Sequence, residues 1–426
     1  MTPRFALILA YLRTRILQLV LRRRKWLVKW QRWLLESLRC HAVANTAFYL
    51  ELGDVDFAVF PTVSKQDVMA RFEAFNGLAL TAPQLWAMLD RGDAPAKHDI
   101  GCSSGTSGNR GLYLISDIER FVWLGTIVAK ALPDAWRKRH RVAIVLPRGS
   151  RLYNAANESK LMKLMFFDLG DGLHAIAGAL VAFKPTVLVG PPKALRWLAE
   201  RGTAIAPQLI YASAEVIDPP DRKSIEQRFG VTLREIYMAT EGLFGVSCAY
   251  GTLHLAEDIV HFEFEQVGGE TDLVTPIVTD FTRRTQVMAR YRMNDILRLD
   301  RNRCRCGSSL QPVCEIIGRH DDVFRLPNPE LAGAAVMLTP DLLRNAVLAT
   351  DLVIDDFRVR QIGANQIEVV LPDRIDHHIG ERARRAVLQA CTRVKTSPEV
   401  TIRFENLSFQ PEAKLRRVEN CWKPNA

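Results

Sequence analysis

Short apolar runs that end in a turn and give way to an amphipathic stretch recur through the middle of this chain. That alternation limits its fold more than any other feature. Val142 to Leu146 (VAIVL) reads as a buried strand. Thr186 to Val189 (TVLV) reads as a second, followed by Gly190-Pro191-Pro192 and a helix through Leu195 to Leu198. Leu209 to Ala212 (LIYA) is a third, with a charged helix over Asp221 to Phe229 after the next turn. Strand, turn and helix in repeated succession predict an α/β architecture. Thr271 to Asp300 is rich in β-branched residues and reads instead as antiparallel strands. The 426 residues, 48% hydrophobic and 24% charged, supply a large core and fit one large and one smaller domain.

The pattern changes near Gly318. Phe357 to Gln361 and Ile367 to Leu371 predict a hairpin around Gly363-Ala364-Asn365. Ile379 to Val394 predicts a helix, and Val400 to Phe404 alternates like a strand. The expectation is a large α/β domain over 1–318, with mixed sheets and helices, followed by a small α+β domain over 319–426.

Chemistry concentrates in five segments. Ser103-Ser104-Gly105-Thr106-Ser107-Gly108-Asn109-Arg110-Gly111 packs glycines and hydroxyls into a loop whose N–H and O–H groups suit phosphate oxygens. It lacks the Gly-Lys-Ser/Thr ending of the common NTPase loop, and taken alone such a loop is a linker more often than a phosphate site. Tyr237-Met238-Ala239-Thr240-Glu241-Gly242 closes a predicted strand, Leu233 to Tyr237. Tyr291-Arg292-Met293-Asn294-Asp295 and Gly318-Arg319-His320-Asp321-Asp322 follow, and Pro411-Glu412-Ala413-Lys414-Leu415-Arg416-Arg417 stands near the end. Singly, these read as a turn, a surface ion pair and a solvated loop. Their order makes them specific.

In that order they resemble the core motifs of the adenylate-forming superfamily of acyl-CoA ligases and synthetases, and most closely the phenylacetate–CoA ligase branch with its relatives that adenylylate a deazaflavin. The resemblance runs from about Trp30 to Arg417. It implies ATP and Mg²⁺ as cofactors. Ser103, Ser104, Gly105, Thr106, Ser107 and Gly108 would hold the β- and γ-phosphates. Thr240 would bond the α-phosphate, and Glu241 would bind Mg²⁺, a hard ion suited to oxygen ligands. Tyr237 would stack on adenine, with Ala214-Glu215 at its edge. Asp295 would accept from both ribose hydroxyls, and Arg319 would contact ribose or phosphates. Asp321 matches the hinge, and Lys414 the catalytic lysine bridging carboxylate and α-phosphate. Thr240 and Glu241 share the catalytic assignment.

The sequence departs from the pattern in places. The loop reads SSGTSG where the branch has SSGTTG, Ala413 replaces a glycine before the lysine, Asn294 stands where Gly is usual, and Arg110 where Pro or Lys is usual. Pro327 to Leu338 matches the CoA-tunnel segment poorly, so ATP use is better supported than CoA use.

Cys248 and His254, with Cys304 and Cys306 flanking Arg305, predict a closed Cys₃His zinc site. Branch relatives resemble this pattern and use zinc structurally. Cys314 competes for a ligand position, and four unlinked side chains are the plain alternative. Eight cysteines in so long a chain do not make a disulfide scaffold and point to a reducing, cytoplasmic compartment.

The net charge of +10 sits almost wholly at one end. Residues 1–40 hold ten basic residues and one acid, Glu36, which leaves the rest near neutrality and excludes a nucleic-acid-binding body. Phe5 to Leu12 is too short to span a bilayer. Leu9, Leu12, Ile16 and Leu19 keep helical spacing, as do Trp26, Trp30 and Trp33. Two readings stay open: a helix on an anionic membrane surface at the inner face, or a helix docked on its own core with Arg and Lys in water.

The sequence therefore predicts ATP-dependent activation of an aromatic or hydrophobic carboxylic acid to its acyl-adenylate. Transfer to the thiol of CoA, or to the phosphopantetheine of an acyl carrier protein, would follow. Two alternatives are a nucleotidyltransferase that leaves AMP on its substrate, and a membrane-associated binding protein with a degenerate nucleotide site.

Overall fold

A computed structural model describes residues 2–103, 110–146, 162–330, 334–407 and 415–423. The fold divides into two compact units. The first comprises Met1–Glu265, Pro276–Met293 and Leu299–Cys314; the second comprises Gln266–Thr275, Asn294–Arg298 and Glu315–Ala426. The units divide the chain differently from a single cut at 318: Asp295 belongs to the second.

In the first unit, among the described residues, five strands run parallel in the spatial order Met162–Asp168, His140–Leu146, Val187–Gly190, Leu209–Ser213, Leu233–Ala239. Their side chains alternate between faces. Ala143, Val145, Leu188, Ile210 and Ala212 point into a core closed by helices Leu173–Phe183, Pro192–Glu200 and Pro219–Phe229. The intervening residues face helix Asp117–Ala131, whose last carbonyl accepts from the buried Tyr211 hydroxyl at 2.6 Å. Burial on both faces is why the three inner strands, His140–Leu146, Val187–Gly190 and Leu209–Ser213, read as continuous apolar runs.

Parallel pairing stops at Leu233–Ala239. The chain reverses there through Thr240-Glu241 into Gly242–Ser247, which pairs antiparallel with it, and Leu253–Leu255 extends that half. A bulge between Tyr237 and Met238 re-aims the strand just before the turn. The hairpin His98–Cys102 with Leu112–Ser116 lies apart from this sheet, with Cys102 opposite Leu112.

Helix Pro3–Val20 packs on helix Asp117–Ala131. The approach needs Gly125: a Cβ there would sit 2.3 Å from the carbonyl oxygen of Leu7. Ala6, Ala10, Tyr11, Thr14 and Leu17 form the buried face. The predicted stripe of Leu9, Leu12, Ile16 and Leu19 is the exposed one. Small residues let the backbones meet, and the larger leucines are left outside. Helix Arg24–Asn45 likewise buries Leu27, Gln31, Leu34, Leu38 and Ala42 rather than its tryptophans. Trp30 is half-buried, with its indole N–H on the Asp258 carbonyl at 3.0 Å, while Trp26 and Trp33 are exposed.

The second unit carries a four-stranded sheet in the order Glu399–Glu405, Gln366–Pro372, Arg358–Gly363, Val418–Asn420. Its central hairpin closes at Gly363 opposite Gln366, as the turn residues predict. Helices Pro340–Leu348 and His377–Arg393 supply Leu343, Val347, Ala383 and Val387 to one core with Phe357, Val369 and Leu371.

Candidate active site and metal centre

Thr240 and Glu241 form the two-residue tip between Ala239 and Gly242, where the parallel half of the sheet meets the antiparallel half. The tip therefore stands at the carboxyl end of a parallel strand, the end outside which α/β sheets bind ligands. Arg283 fixes the tip. Its Nη2 donates to the Thr240 carbonyl at 2.7 Å and to that of Glu241 at 3.0 Å, and its Nε to Glu241 at 3.2 Å. Nη1 is buried and has no hydrogen-bond partner among the described residues. Tyr291 donates its hydroxyl to Glu241 Oε1 at 3.2 Å. Gly242 is required beside them, since a Cβ would stand 2.7 Å from Asp280 Oδ2. Burial holds the Asp280 carboxyl above its ordinary range against the opposing pull of Arg283.

The stem of the glycine-rich loop faces the same cavity. Ser103 donates its N–H to the Gly111 carbonyl at 2.8 Å, and its Oγ accepts from the Gly111 N–H at 2.8 Å. Lys65 donates from Nζ to the same Oγ at 3.2 Å. Lys65, Gly111, Tyr113, Thr240, Glu241, Arg283 and Tyr291 line one small cavity. Val63, two residues before Lys65, bridges to the Tyr291 segment, donating to the Arg290 carbonyl and accepting from the Arg292 N–H. Of the predicted loop residues, Ser104, Gly105, Thr106, Ser107 and Gly108 lie outside the described residues.

Tyr237 is buried, with its ring centroid 5.5 Å from that of Phe244. Ala214 follows the strand Leu209–Ser213 with φ 74°, a left-handed backbone that costs a residue with a Cβ about 1–3 kcal/mol. Glu215 is half-buried next to it. A second cavity of about 70 Å³ shares Thr240, Tyr113 and Arg283 with the first and is lined also by Ile115, Trp123, Met238, Ala239 and Glu119.

Asp295, Arg319 and Asp321 all belong to the second unit. Asn294 donates from Nδ2 to Asp321 Oδ2 at 2.7 Å and accepts the Asp321 N–H on Oδ1 at 3.3 Å. Its carbonyl accepts the His320 N–H at 2.6 Å. The asparagine thus ties Asn294-Asp295 to His320-Asp321. Arg416 pairs with the buried Asp322 carboxylate and with Glu419. Lys414 lies outside the described residues.

Cys248, His254, Cys304 and Cys306 converge, with their ligand atoms all within 4.8 Å of one another. Cys248 and Cys304 place their sulfurs 3.8 Å apart, and Cys306 Sγ is 3.4 Å from His254 Nε2. Two thiolates each about 2.3 Å from a tetrahedral zinc stand about 3.8 Å apart, so the donor set fits that ion. His254 Nδ1 is 3.1 Å from the Leu310 carbonyl, which can only accept; the proton therefore sits on Nδ1 and leaves Nε2 free to ligate. Burial pushes the Cys306 thiol up to about 12. A cation is what ionises such a thiol near neutrality. Cys314, the competing ligand of the sequence reading, is exposed and outside the cluster. The cluster sits at the far end of strand Gly242–Ser247 from Glu241, on the order of 20 Å away at a strand's rise per residue.

Lys65 and Arg283 were not singled out from the sequence. The available signal was the polar run Thr282-Arg283-Arg284-Thr285 just after a buried strand; Lys65 carries no motif.

No family model matches the sequence, and no curated protein matches it. Solved structures do. A 2-hydroxyisobutyryl-CoA ligase in the postadenylation state with 2-HIB-AMP superposes with a TM-score of 0.68 at 16% identity, over 91% of this chain and 88% of that one. The GH3.15 acyl acid amido synthetase gives 0.51 at 15%, over 89% and 87%. The anthranilate CoA ligase AuaEII with anthranoyl-AMP gives 0.50 at 13%, over 74% and 65%. The chain has the fold of the adenylate-forming ligases, a large mixed α/β body and a separate C-terminal domain.

Proposed function

We propose that this protein is an ATP-dependent, adenylate-forming ligase. The observation that carries the reading is convergence: the stem of the Ser103–Gly111 loop, the Thr240-Glu241 tip and Tyr291 of the Tyr-Arg-x-x-Asp motif, far apart in sequence, meet around one cavity. A carboxylate oxygen of the substrate attacks the α-phosphorus of ATP, the bond to the β-phosphate bridging oxygen breaks, and pyrophosphate leaves. Repulsion between carboxylate and triphosphate opposes this step, so fixed donors are needed. Loop residues Ser103 to Gly108 hold the outer phosphates, Lys65 adds charge at the stem, and Thr240 bonds the α-phosphate. Glu241, oriented by Tyr291, is the residue to hold Mg²⁺, which would neutralise phosphate charge. Tyr237 with Ala214-Glu215 serves the adenine, and Asp295 with Arg319 the ribose. Lys414 stabilises the transition state, and 319–426 turns about Asp321 between half-reactions.

The cavity walled by Ile115, Trp123 and Met238 beside Thr240 supports an aromatic or hydrophobic acid. A thiol, of CoA or a carrier phosphopantetheine, then attacks the acyl carbon and AMP leaves. The Cys₃His cluster is assigned to a structural zinc, because four protein ligands leave no open position.

The test is ATP–pyrophosphate exchange across a panel of aromatic and aliphatic acids. Exchange that depends on an apolar acid supports the proposal. No exchange with any acid overturns it. A stable adenylylated product formed without thiol favours a nucleotidyltransferase instead.

A further inference from the structure

Helix Pro3–Val20 has two apolar faces, and only one is used by the fold. Ala6, Ala10, Thr14 and Leu17 are buried. On the opposite side Phe5, Ile8, Leu9, Leu12, Ile16 and Leu19 are each 48–62% exposed. Steps of three and four residues place these six within about 100° of arc. No acidic side chain interrupts the helix, and the first acid in the chain is Glu36. Past the helix end, Arg22, Arg23, Arg24 and Lys25 are all exposed; of these, Arg24 is paired, with Glu257.

We propose that this outward face is an interfacial surface that lies on an anionic lipid bilayer. A continuous apolar stripe facing water on a firmly docked helix marks an interaction surface. The charge around it selects the occupant. A second copy of the chain would bring to the contact more of the same positive charge, which Glu257 offsets at Arg24 alone, and no acid on the helix itself. A bilayer carrying acidic headgroups offers hydrocarbon to the stripe and negative charge to the cluster at once. Among the described residues no helix is long and apolar enough to cross a membrane, so the mode is surface contact. The buried face keeps the helix on helix Asp117–Ala131 throughout, and the body of the enzyme rests against the bilayer.

The test uses the full chain and vesicles of phosphatidylcholine alone or with about one-third phosphatidylserine. The protein is expected to sediment with the anionic vesicles and not the neutral ones, and to be released by salt. Leu12→Asp with Ile16→Asp is expected to weaken partitioning about tenfold or more. Both side chains point outward, so the circular-dichroism melting curve should not move. Arg22→Glu with Lys25→Glu should abolish the preference for phosphatidylserine. The proposal is overturned if the parent shows no such preference, or if the aspartate pair binds as the parent does. It is also overturned if light scattering finds a dimer that the aspartate pair splits while vesicles capture nothing.

Discussion

Arg283 holds the backbone of Thr240: its Nη2 donates to that carbonyl at 2.7 Å, and the residue as a whole is only 8% exposed. The arginine is a positioning residue. It grips carbonyls, so it leaves the hydroxyl of Thr240 and the carboxylate of Glu241 unengaged by the guanidinium. Arg283→Ala should lower acid-dependent pyrophosphate exchange by about 10–10²-fold, the scale of a sub-ångström to ångström misplacement. Magnesium dependence should shift with it. Arg283→Lys keeps the charge but loses the forked geometry and should recover only part of the rate. A variant that melts earlier yet exchanges at the parental rate would show that the arginine supports the fold alone.

Lys414→Ala should lower exchange by on the order of 10²–10³, as removal of one preorganised donor does, with ATP affinity little changed. Asp295→Ala should do the reverse and mainly weaken nucleotide binding, through lost hydroxyl contacts worth about 1–3 kcal/mol. Calorimetric titration of ATP separates the two. Parental exchange in the lysine variant, or parental affinity in the aspartate variant, removes that residue from its role.

The three inner parallel strands were legible because burial on both faces turns them into unbroken apolar runs such as VAIVL; the edge strand Met162–Asp168, with Lys163 and Met165 exposed, was not. The Tyr237–Gly242 segment was legible as a strand ending in a turn. The hairpin His98–Cys102 with Leu112–Ser116 was not, since HDIGC has neither alternation nor β-branched weight. The N-terminal helix shows a deeper limit. It carries two stripes, one of alanine, threonine and leucine, the other of phenylalanine, leucine and isoleucine, and hydropathy favours the second. Packing chose the first, because only small side chains permit the approach at Gly125. Lys65 and Arg283 stayed hidden because their value comes from convergence: Lys65 meets Ser103 across 38 residues and Arg283 meets Thr240 across 43.

That packing makes the first helix part of the core. Gly125→Val should destabilise the first unit by about 1–3 kcal/mol or more through overpacking. Deleting residues 2–21 should lower the melting temperature sharply rather than yield an intact soluble enzyme, since it uncovers the face around Gly125. A truncated chain with the parental melting curve would be incompatible with this docking.

Glu119 gives the stability a defined acid limb. Burial raises its pKa, but donors from Thr285, Ser116 and their backbones outweigh burial and hold it below the ordinary 4.5. The unfolded chain therefore takes up the proton first. The stability that Glu119 contributes is fully present above about 4.5 and is lost as pH falls through the lower folded value. Glu119→Gln should flatten that limb and cost about 2–3 kcal/mol near neutrality, because an amide cannot accept from all these donors. Urea unfolding at several pH values measures both effects. An acid limb unchanged in the glutamine variant assigns it to other carboxylates.

The metal centre makes the last prediction. Protein purified without chelator should contain about one zinc per chain. The ion would tie Cys248 and His254, which bracket the turn into Leu253–Leu255, to Cys304 and Cys306. His254 is fixed from behind by Leu310, whose neighbour Ser309 donates its hydroxyl to the Leu21 carbonyl; Glu257 nearby pairs with Arg24 at 2.6 Å. The knuckle is thus also the seat of the junction between the two N-terminal helices. Cys306→Ser should lower zinc content and melting temperature together, because binding free energy at such a site is folding free energy. Its effect on exchange should be indirect and should vanish when rates are compared per folded molecule, since Glu241 lies at the other end of the strand. Elemental analysis beside a melting curve decides the matter: a metal-free chain that melts with the parent would dismiss the zinc, and full stability in Cys306→Ser would dismiss that ligand.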